Sequence, residues 1–225
     1  MNIFGFRCVH CQGQLAVASH GLCCRCNRLV QSRAYCGKCG AELPQNAMMC
    51  GQCLRHEPSW DRLVMAGRYN EPLSTLIHRF KFQQAFWLDR TLARLLLLAV
   101  MKARREHGLT LPDVLIPVPL HHFRQWRRGY NQADLIAGWL SKWLKMPCEN
   151  NLLVRAKHTP TQRGLTAKAR RQNLKNAFRV KRKIPHQRIA LIDDVITTGS
   201  TLNEIAKLLR KQGVQEIQVW GLAKT

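Results

Sequence analysis

Apolar and polar residues alternate in two periods along the chain. Leu88, Leu92, Leu95, Leu96 and Ala99 recur at helical spacing, which predicts a buried-faced helix over residues 86–105. The same reading predicts helices over 72–82, 131–144 and 200–211, the last closed by Gly213. Short apolar runs at 63–69, 113–118, 188–192 and 216–221 predict strands. Strands alternating with helices predict an α/β fold with a mainly parallel sheet. The longest apolar run, Leu95 to Met101, is closely preceded by Arg94 and is too short to cross a bilayer. The first ten residues, MNIFGFRCVH, lack the charged start and apolar core of a secretion signal, so a cytoplasmic location is expected.

The first 58 residues break this pattern. Nine of the ten cysteines lie in the first 53 positions, and only Cys148 lies outside. Eight of the nine fall into four C-x-x-C pairs: Cys8/Cys11, Cys23/Cys26, Cys36/Cys39 and Cys50/Cys53. Two residues between thiolates let one tight turn aim both sulfurs at one ion, and a second turn completes a closed tetrahedron. With no secretion signal, metal is the better reading than disulfides. The pairs predict a double zinc ribbon holding two structural Zn²⁺ ions. Sequential pairing, Cys8 to Cys26 and Cys36 to Cys53, is favoured; a cross-braced arrangement and a substitution of Cys24 for Cys23 stay open. Pro58 and Trp60 mark a junction between a metal module over 1–58 and a larger domain over 59–225.

Charge sharpens this division. The formal net charge is +23. Residues 1–60 hold six Lys/Arg against two acids, and eight thiolates on two zinc ions would bring that segment close to neutral. Residues 61–225 keep 30 Lys/Arg against 11 acids. A basic field of this size implies polyanionic partners. From Asn150 to Ile192 there is no Asp or Glu, and 12 Lys/Arg run from Arg155 to Arg188. Lys168, Arg171 and Lys175 share one helix face. Two or three cations suffice for a pyrophosphate, so the surplus points to a nucleic-acid backbone, with single-stranded DNA the expected partner.

The most specific chemistry lies at 189–202, IALIDDVITTGSTL. An apolar strand runs into Asp193 and Asp194, then a turn, Thr197-Thr198-Gly199-Ser200-Thr201, that opens a helix. Hydroxyls, backbone N–H groups and the helix dipole suit one phosphate. The two acids suit sugar hydroxyls. A merely capped strand–turn–helix accounts for Gly199 and Ser200 but not for the acid pair followed by paired threonines. The constellation reads as a ribose 5-phosphate site at the carboxyl end of a strand.

This segment resembles the loop of type I phosphoribosyltransferases that binds phosphoribosyl pyrophosphate (PRPP). LIPVPLHHFRQWRRGYNQA (115–133) looks like the family's pyrophosphate loop, with Arg127, Arg128 and Gly129 at its centre. TPTQRGLTAKARRQNLKNAF (159–178) resembles its flexible hood. With the cysteine pairs, these motifs resemble the ComF/GntX family of competence and DNA-utilisation proteins over essentially the whole chain. The resemblance implies a type I phosphoribosyltransferase fold. It implies that Asp193 and Asp194 hold ribose hydroxyls and that residues 197–201 hold the 5-phosphate. It also implies Mg²⁺ with PRPP, a role in DNA uptake or utilisation, and DNA-processing protein partners. An active phosphoribosyltransferase of nucleobase or nucleotide salvage is the alternative, although no general base is legible; His121 and His122 lie beside the presumed pyrophosphate loop.

Overall fold

The computed structural model describes residues 6–30, 33–120, 129–155 and 177–225. Six helices, α1 Cys24–Val30, α2 Gly51–Arg55, α3 Leu73–Phe82, α4 Asp89–His107, α5 Gln132–Leu144 and α6 Ser200–Lys211, are accompanied by 3₁₀ turns at Ala18–His20 and Phe86–Leu88. The strands are β1 Arg62–Arg68, β2 Val114–Pro117, β3 Leu153–Arg155, β4 Phe178–Val180, β5 Arg188–Ile196 and β6 Glu216–Lys224. Four of them form one parallel sheet in the order β1-β6-β5-β2, while β3 and β4 make a separate antiparallel pair.

The sheet is buried on both faces, which is why its strands read as near-continuous apolar runs. Side chains alternate across it with the period of two that a pleated strand imposes. Val64, Ala66, Ala190, Ile192, Trp220 and Leu222 face α3, α4 and α5. Leu63, Met65, Ile189, Leu191, Ile217 and Val219 face α6 and the β3–β4 pair. Each leucine-sized side chain so enclosed contributes about 1.5–3 kcal/mol. Trp220 is fully buried, and its indole N–H donates to Gln218 Oε1 at 2.9 Å. Gln218 Nε2 in turn donates to the Thr110 carbonyl at 2.9 Å, so the polar atoms of these two buried side chains are paired.

The cysteine-bearing segment is part of this core. Cys8, Leu15, Leu22, Cys26 and Val30 pack in the same apolar cluster as Val64, Leu73 and Leu92. At Gly67 the chain comes so close that a Cβ would stand 2.3 Å from the Val30 carbonyl oxygen, so only glycine fits. Arg79 on α3 donates to the Val9 carbonyl at 2.9 Å. No helix among the described residues is long and apolar enough to cross a membrane.

Candidate functional site

β5 extends four residues beyond its apolar run and carries both acids within the strand. Asp193 Oδ1 accepts from the Asp194 N–H at 2.8 Å, and Asp194 Oδ1 accepts from the Val195 N–H at 2.6 Å. Burial, reinforced by the neighbouring Asp194 carboxylate, pushes the Asp193 carboxyl up to about 7, against the pull of Lys81. Asp194 is paired: Lys81 Nζ, near the end of α3, stands 2.8 Å from its Oδ1, with the two side chains 16% and 12% exposed. Sequence reasoning missed Lys81, since a lysine on an amphipathic helix reads as a solvated face.

Beyond Ile196 the chain turns outward. Thr197 and Thr198 are exposed, Gly199 is buried, and Ser200 and Thr201 are half-buried. Gly199 sits at φ +71°, in the left-handed region, as the residue that opens α6. Thr198 Oγ1 and Ser200 Oγ are 2.8 Å apart. The first N–H groups of a helix have no intrahelical acceptor, and here they face a turn bearing three hydroxyl side chains besides Thr201. Lys224, at the end of β6, donates to the Thr197 carbonyl at 2.7 Å. Burial first, and then Arg68 beside it, holds the Lys224 ammonium below its ordinary range. The predicted constellation of Asp193, Asp194 and residues 197–201 therefore lies together at the carboxyl end of the sheet, where open α/β sheets place ligands.

Of the predicted pyrophosphate loop, Gly129 is described, at φ +78°, while Arg127 and Arg128 lie outside the described residues. Tyr130 and Asn131, which follow Gly129, make structural contacts. The Tyr130 hydroxyl donates to the Phe80 carbonyl. Asn131 caps α5 by accepting from the Ala133 N–H, and its amide donates to the Val118 carbonyl at 3.1 Å, so it ties the helix start to the end of β2. His121, His122, Lys168, Arg171 and Lys175 also lie outside the described residues.

The eight predicted ligands form two groups, Cys8/Cys11/Cys23/Cys26 and Cys36/Cys39/Cys50/Cys53, with the sulfurs of each within 4.8 Å of one another. Pairing is thus sequential, and Cys24 is exposed and outside both groups. Sulfurs bonded to a tetrahedral ion at about 2.3 Å stand about 3.8 Å apart. The separations are 3.6 Å for Cys11–Cys23, 3.7 Å for Cys39–Cys50 and 3.9 Å for Cys36–Cys53. They fit metal coordination and are far too long for disulfides. Backbone N–H groups point at the sulfurs, as from Cys50 to Cys36 Sγ at 3.2 Å. The Cys53 N–H is the largest influence holding the Cys50 thiol down to about 7.

A second surface carries exposed aromatics. Phe82, Phe86 and Trp87 are each more than half exposed. Phe86 and Trp87 meet edge to face at 5.6 Å. One helical turn on, the Arg90 guanidinium lies 5.4 Å from the Trp139 ring, which also holds Lys142 at 5.5 Å and packs on Trp143 at 5.3 Å. Phe86 and Trp87 lie in the 3₁₀ turn before α4, Arg90 in the first turn of α4, and Trp139, Lys142 and Trp143 on α5.

A parallel sheet with an acid pair and a hydroxyl-lined turn at its carboxyl end defines a phosphoribosyltransferase-type fold, beside two four-cysteine groups that could each hold a metal ion. Residues 136–224 match the phosphoribosyl transferase domain family. The chain is 64% identical over 227 residues to Competence protein F of Haemophilus influenzae, covering 100% of this chain and 99% of that one. It is 43% identical over 219 residues to DNA utilization protein YhgH of Shigella flexneri, covering 97% and 96%. The chain belongs to the ComF/GntX family of competence and DNA-utilisation proteins. Among solved structures it overlaps glutamine phosphoribosylpyrophosphate (PRPP) amidotransferase from B. subtilis at 19% identity and TM-score 0.36, over 57% of this chain and 24% of that one.

Proposed function

We propose that the chain binds PRPP or a similar phosphosugar and handles single-stranded DNA in its uptake or utilisation. The observation that carries the first half is the end of β5: two carboxylates running directly into an exposed, hydroxyl-lined turn at a helix N-terminus. In this reading Asp193 and Asp194 accept from the ribose hydroxyls. Thr197, Thr198, Gly199, Ser200 and Thr201 receive the 5-phosphate, and the Arg127-Arg128-Gly129 loop receives the pyrophosphate. Lys81 pairs with Asp194 in the absence of ligand. Asp193 and Asp194 are already engaged by backbone N–H groups and Lys81, so Mg²⁺ would ride on the phosphates, as this hydrated ion commonly does. Zn²⁺ is the metal that all-thiolate, closed tetrahedra favour in a structural role. It would brace the segment over 1–58 against the domain over 59–225.

The DNA half rests on the +23 net charge, on the acid-free stretch bearing Lys168, Arg171 and Lys175, and on the family's competence and DNA-utilisation names. The exposed Phe86 and Trp87 near Arg90 support it, since exposed rings close to cations suit single-stranded nucleic acid. The alternative is an active salvage phosphoribosyltransferase, in which the same acid pair and turn would hold PRPP. Pyrophosphate release from PRPP in the presence of one nucleobase would select that alternative.

Calorimetric titration with PRPP and Mg²⁺ tests the phosphosugar reading. At pH 8, above the Asp193 value of about 7, the Asp193→Asn, Asp194→Asn double variant should bind at least tenfold more weakly, because two charge-assisted hydrogen bonds of roughly 1.5–3 kcal/mol each become neutral ones. Wild-type affinity in that variant would remove both carboxylates from the site.

A further inference from the structure

The segment between the second cysteine group and β1 grips two things at once. Trp60 is 4% exposed, and its indole N–H donates to the Lys38 carbonyl at 2.6 Å. Lys38 lies inside the Cys36–Cys39 turn, is itself 7% exposed, and pairs with Glu57 at 2.5 Å. The neighbouring Gly37 carbonyl accepts from the Leu63 N–H at 2.7 Å. The metal-binding turn thus offers two consecutive carbonyls to the chain that follows it.

The far edge of the same indole, at the tip of its six-membered ring, meets the hydroxyl-lined turn. A Cβ on Gly199 would stand 2.7 Å from the Trp60 ring, so the turn rests directly on the ring. The adjacent Ser59 N–H donates to Asn203 Oδ1 at 2.8 Å, in the first turn of α6. Asp61, on the other side of Trp60, accepts from Arg210 at 2.5 Å, near the end of the same helix. Three consecutive residues, Ser59, Trp60 and Asp61, fix α6 along its length and set the height of Gly199.

We propose that Trp60 is a positioning residue for the 5-phosphate turn and transmits to it the state of the Cys36/Cys39/Cys50/Cys53 group. The inference rests on the phosphosugar reading for its ligand, but its mechanical link does not. A tetrahedral ion fixes the conformation of the Cys36–Cys39 turn. That conformation places the Lys38 carbonyl, the carbonyl holds the indole, and the indole supports Gly199. The two sites therefore share one packed element, and any coupling between them is reciprocal. The Cys8/Cys11/Cys23/Cys26 group packs instead in the cluster on the opposite face of the sheet, and its occupancy leaves the turn unaffected.

Two measurements test this. The first is hydrogen exchange of residues 197–203 in Trp60→Phe, which retains an aromatic ring and loses the N–H donor. With both metals retained, exchange there should rise about tenfold while β6 keeps its protection, and affinity for ribose 5-phosphate should fall about five- to twentyfold. Wild-type exchange in that segment would overturn the link. The second uses the unmodified protein. Saturating ribose 5-phosphate should slow chelator extraction of one of the two metals at least threefold and leave the other unchanged. Equal rates for both metals with and without bound ligand would also overturn it. If ribose 5-phosphate fails to bind at all, the phosphosugar reading falls, and the exchange measurement still decides the role of Trp60.

Discussion

Replacing Lys81 by Met removes the one cation within ion-pair distance of Asp194 among the described residues, while keeping the aliphatic bulk. The lost contact is 2.8 Å long between side chains 16% and 12% exposed. Removing one partner of a buried pair costs about 3–5 kcal/mol. Residual solvent, and the option of the acid pair to keep a proton, bring the expected cost nearer to about 2–3 kcal/mol at pH 8. For a chain of 225 residues, roughly 2–4 °C per kcal/mol puts the fall in Tm at about 5–10 °C.

The pH dependence discriminates further. Asp193 has a folded pKa raised to about 7, above its unfolded value. Such a group contributes stability that is fully present below the unfolded pKa, about 4, and is lost as pH rises through the folded value. Without Lys81 the pair holds its proton to still higher pH. The deficit of Lys81→Met should therefore be smaller at pH 5, where Asp193 is neutral and only the Lys81–Asp194 contact is lost, than at pH 8, where Asp193 must also ionise without Lys81. Scanning calorimetry at the two pH values is the assay. A Tm deficit equal at both, or none at pH 8, would refute the assignment of Lys81 as the counter-ion of the acid pair.

Metal analysis of purified protein should find about two zinc equivalents per chain, and one or none would sink the reading of two closed sites. Cys36→Ser should release one ion and lower the Tm of the whole chain, because the Cys36–Cys39 turn is bonded to Trp60 and β1. Single-stranded DNA binding should weaken with salt at a log–log slope near −3 to −4 if about four to six phosphates are contacted at about −0.7 each. Replacing Lys168, Arg171 and Lys175 together by Ala should flatten that slope by up to about 2. Phe86→Ala with Trp87→Ala should instead lower affinity about tenfold or more at every salt concentration with the slope unchanged, since stacking contributes roughly 1–3 kcal/mol per base. Anisotropy with a labelled oligonucleotide separates the two effects, and a changed slope in the aromatic variant would contradict a stacking role.

The long amphipathic segments were legible because their burial is one-sided and periodic: helices expected over 72–82, 131–144 and 200–211 agree with α3, α5 and α6 to within one residue at either end. What local pattern could not reveal was set by distant partners. The expected strand at 188–192 stops where the acids begin, because carboxylates are poor strand formers. β5 nevertheless continues to Ile196, since β6 pairs with it there and Lys81 compensates Asp194. The three-residue strands β3 and β4 are too short to leave a periodic signal. The acid pair and the turn were readable as one contiguous motif, whereas Lys81 and Trp60 reach the site from elsewhere in the chain. The cysteine spacing announced the metal groups but not that their flanks belong to the main core.

One edge strand of the sheet is the first in the chain among the described residues, and its strand partner among them is the last. β1 pairs with β6, so Arg62–Arg68 must wait for Glu216–Lys224. At about 5–20 residues per second, that interval is of order ten to thirty seconds on the ribosome. The cysteine groups, by contrast, are local in the chain and complete before β1 emerges. Once the Cys36–Cys39 turn has closed, its Gly37 carbonyl is in place to take the Leu63 N–H, on the strand that will stay longest without a neighbour. An unpaired apolar strand invites association with other nascent chains. The cysteine-bearing segment is thus a contact that β1 already has when it emerges, long before β6 can pair with it.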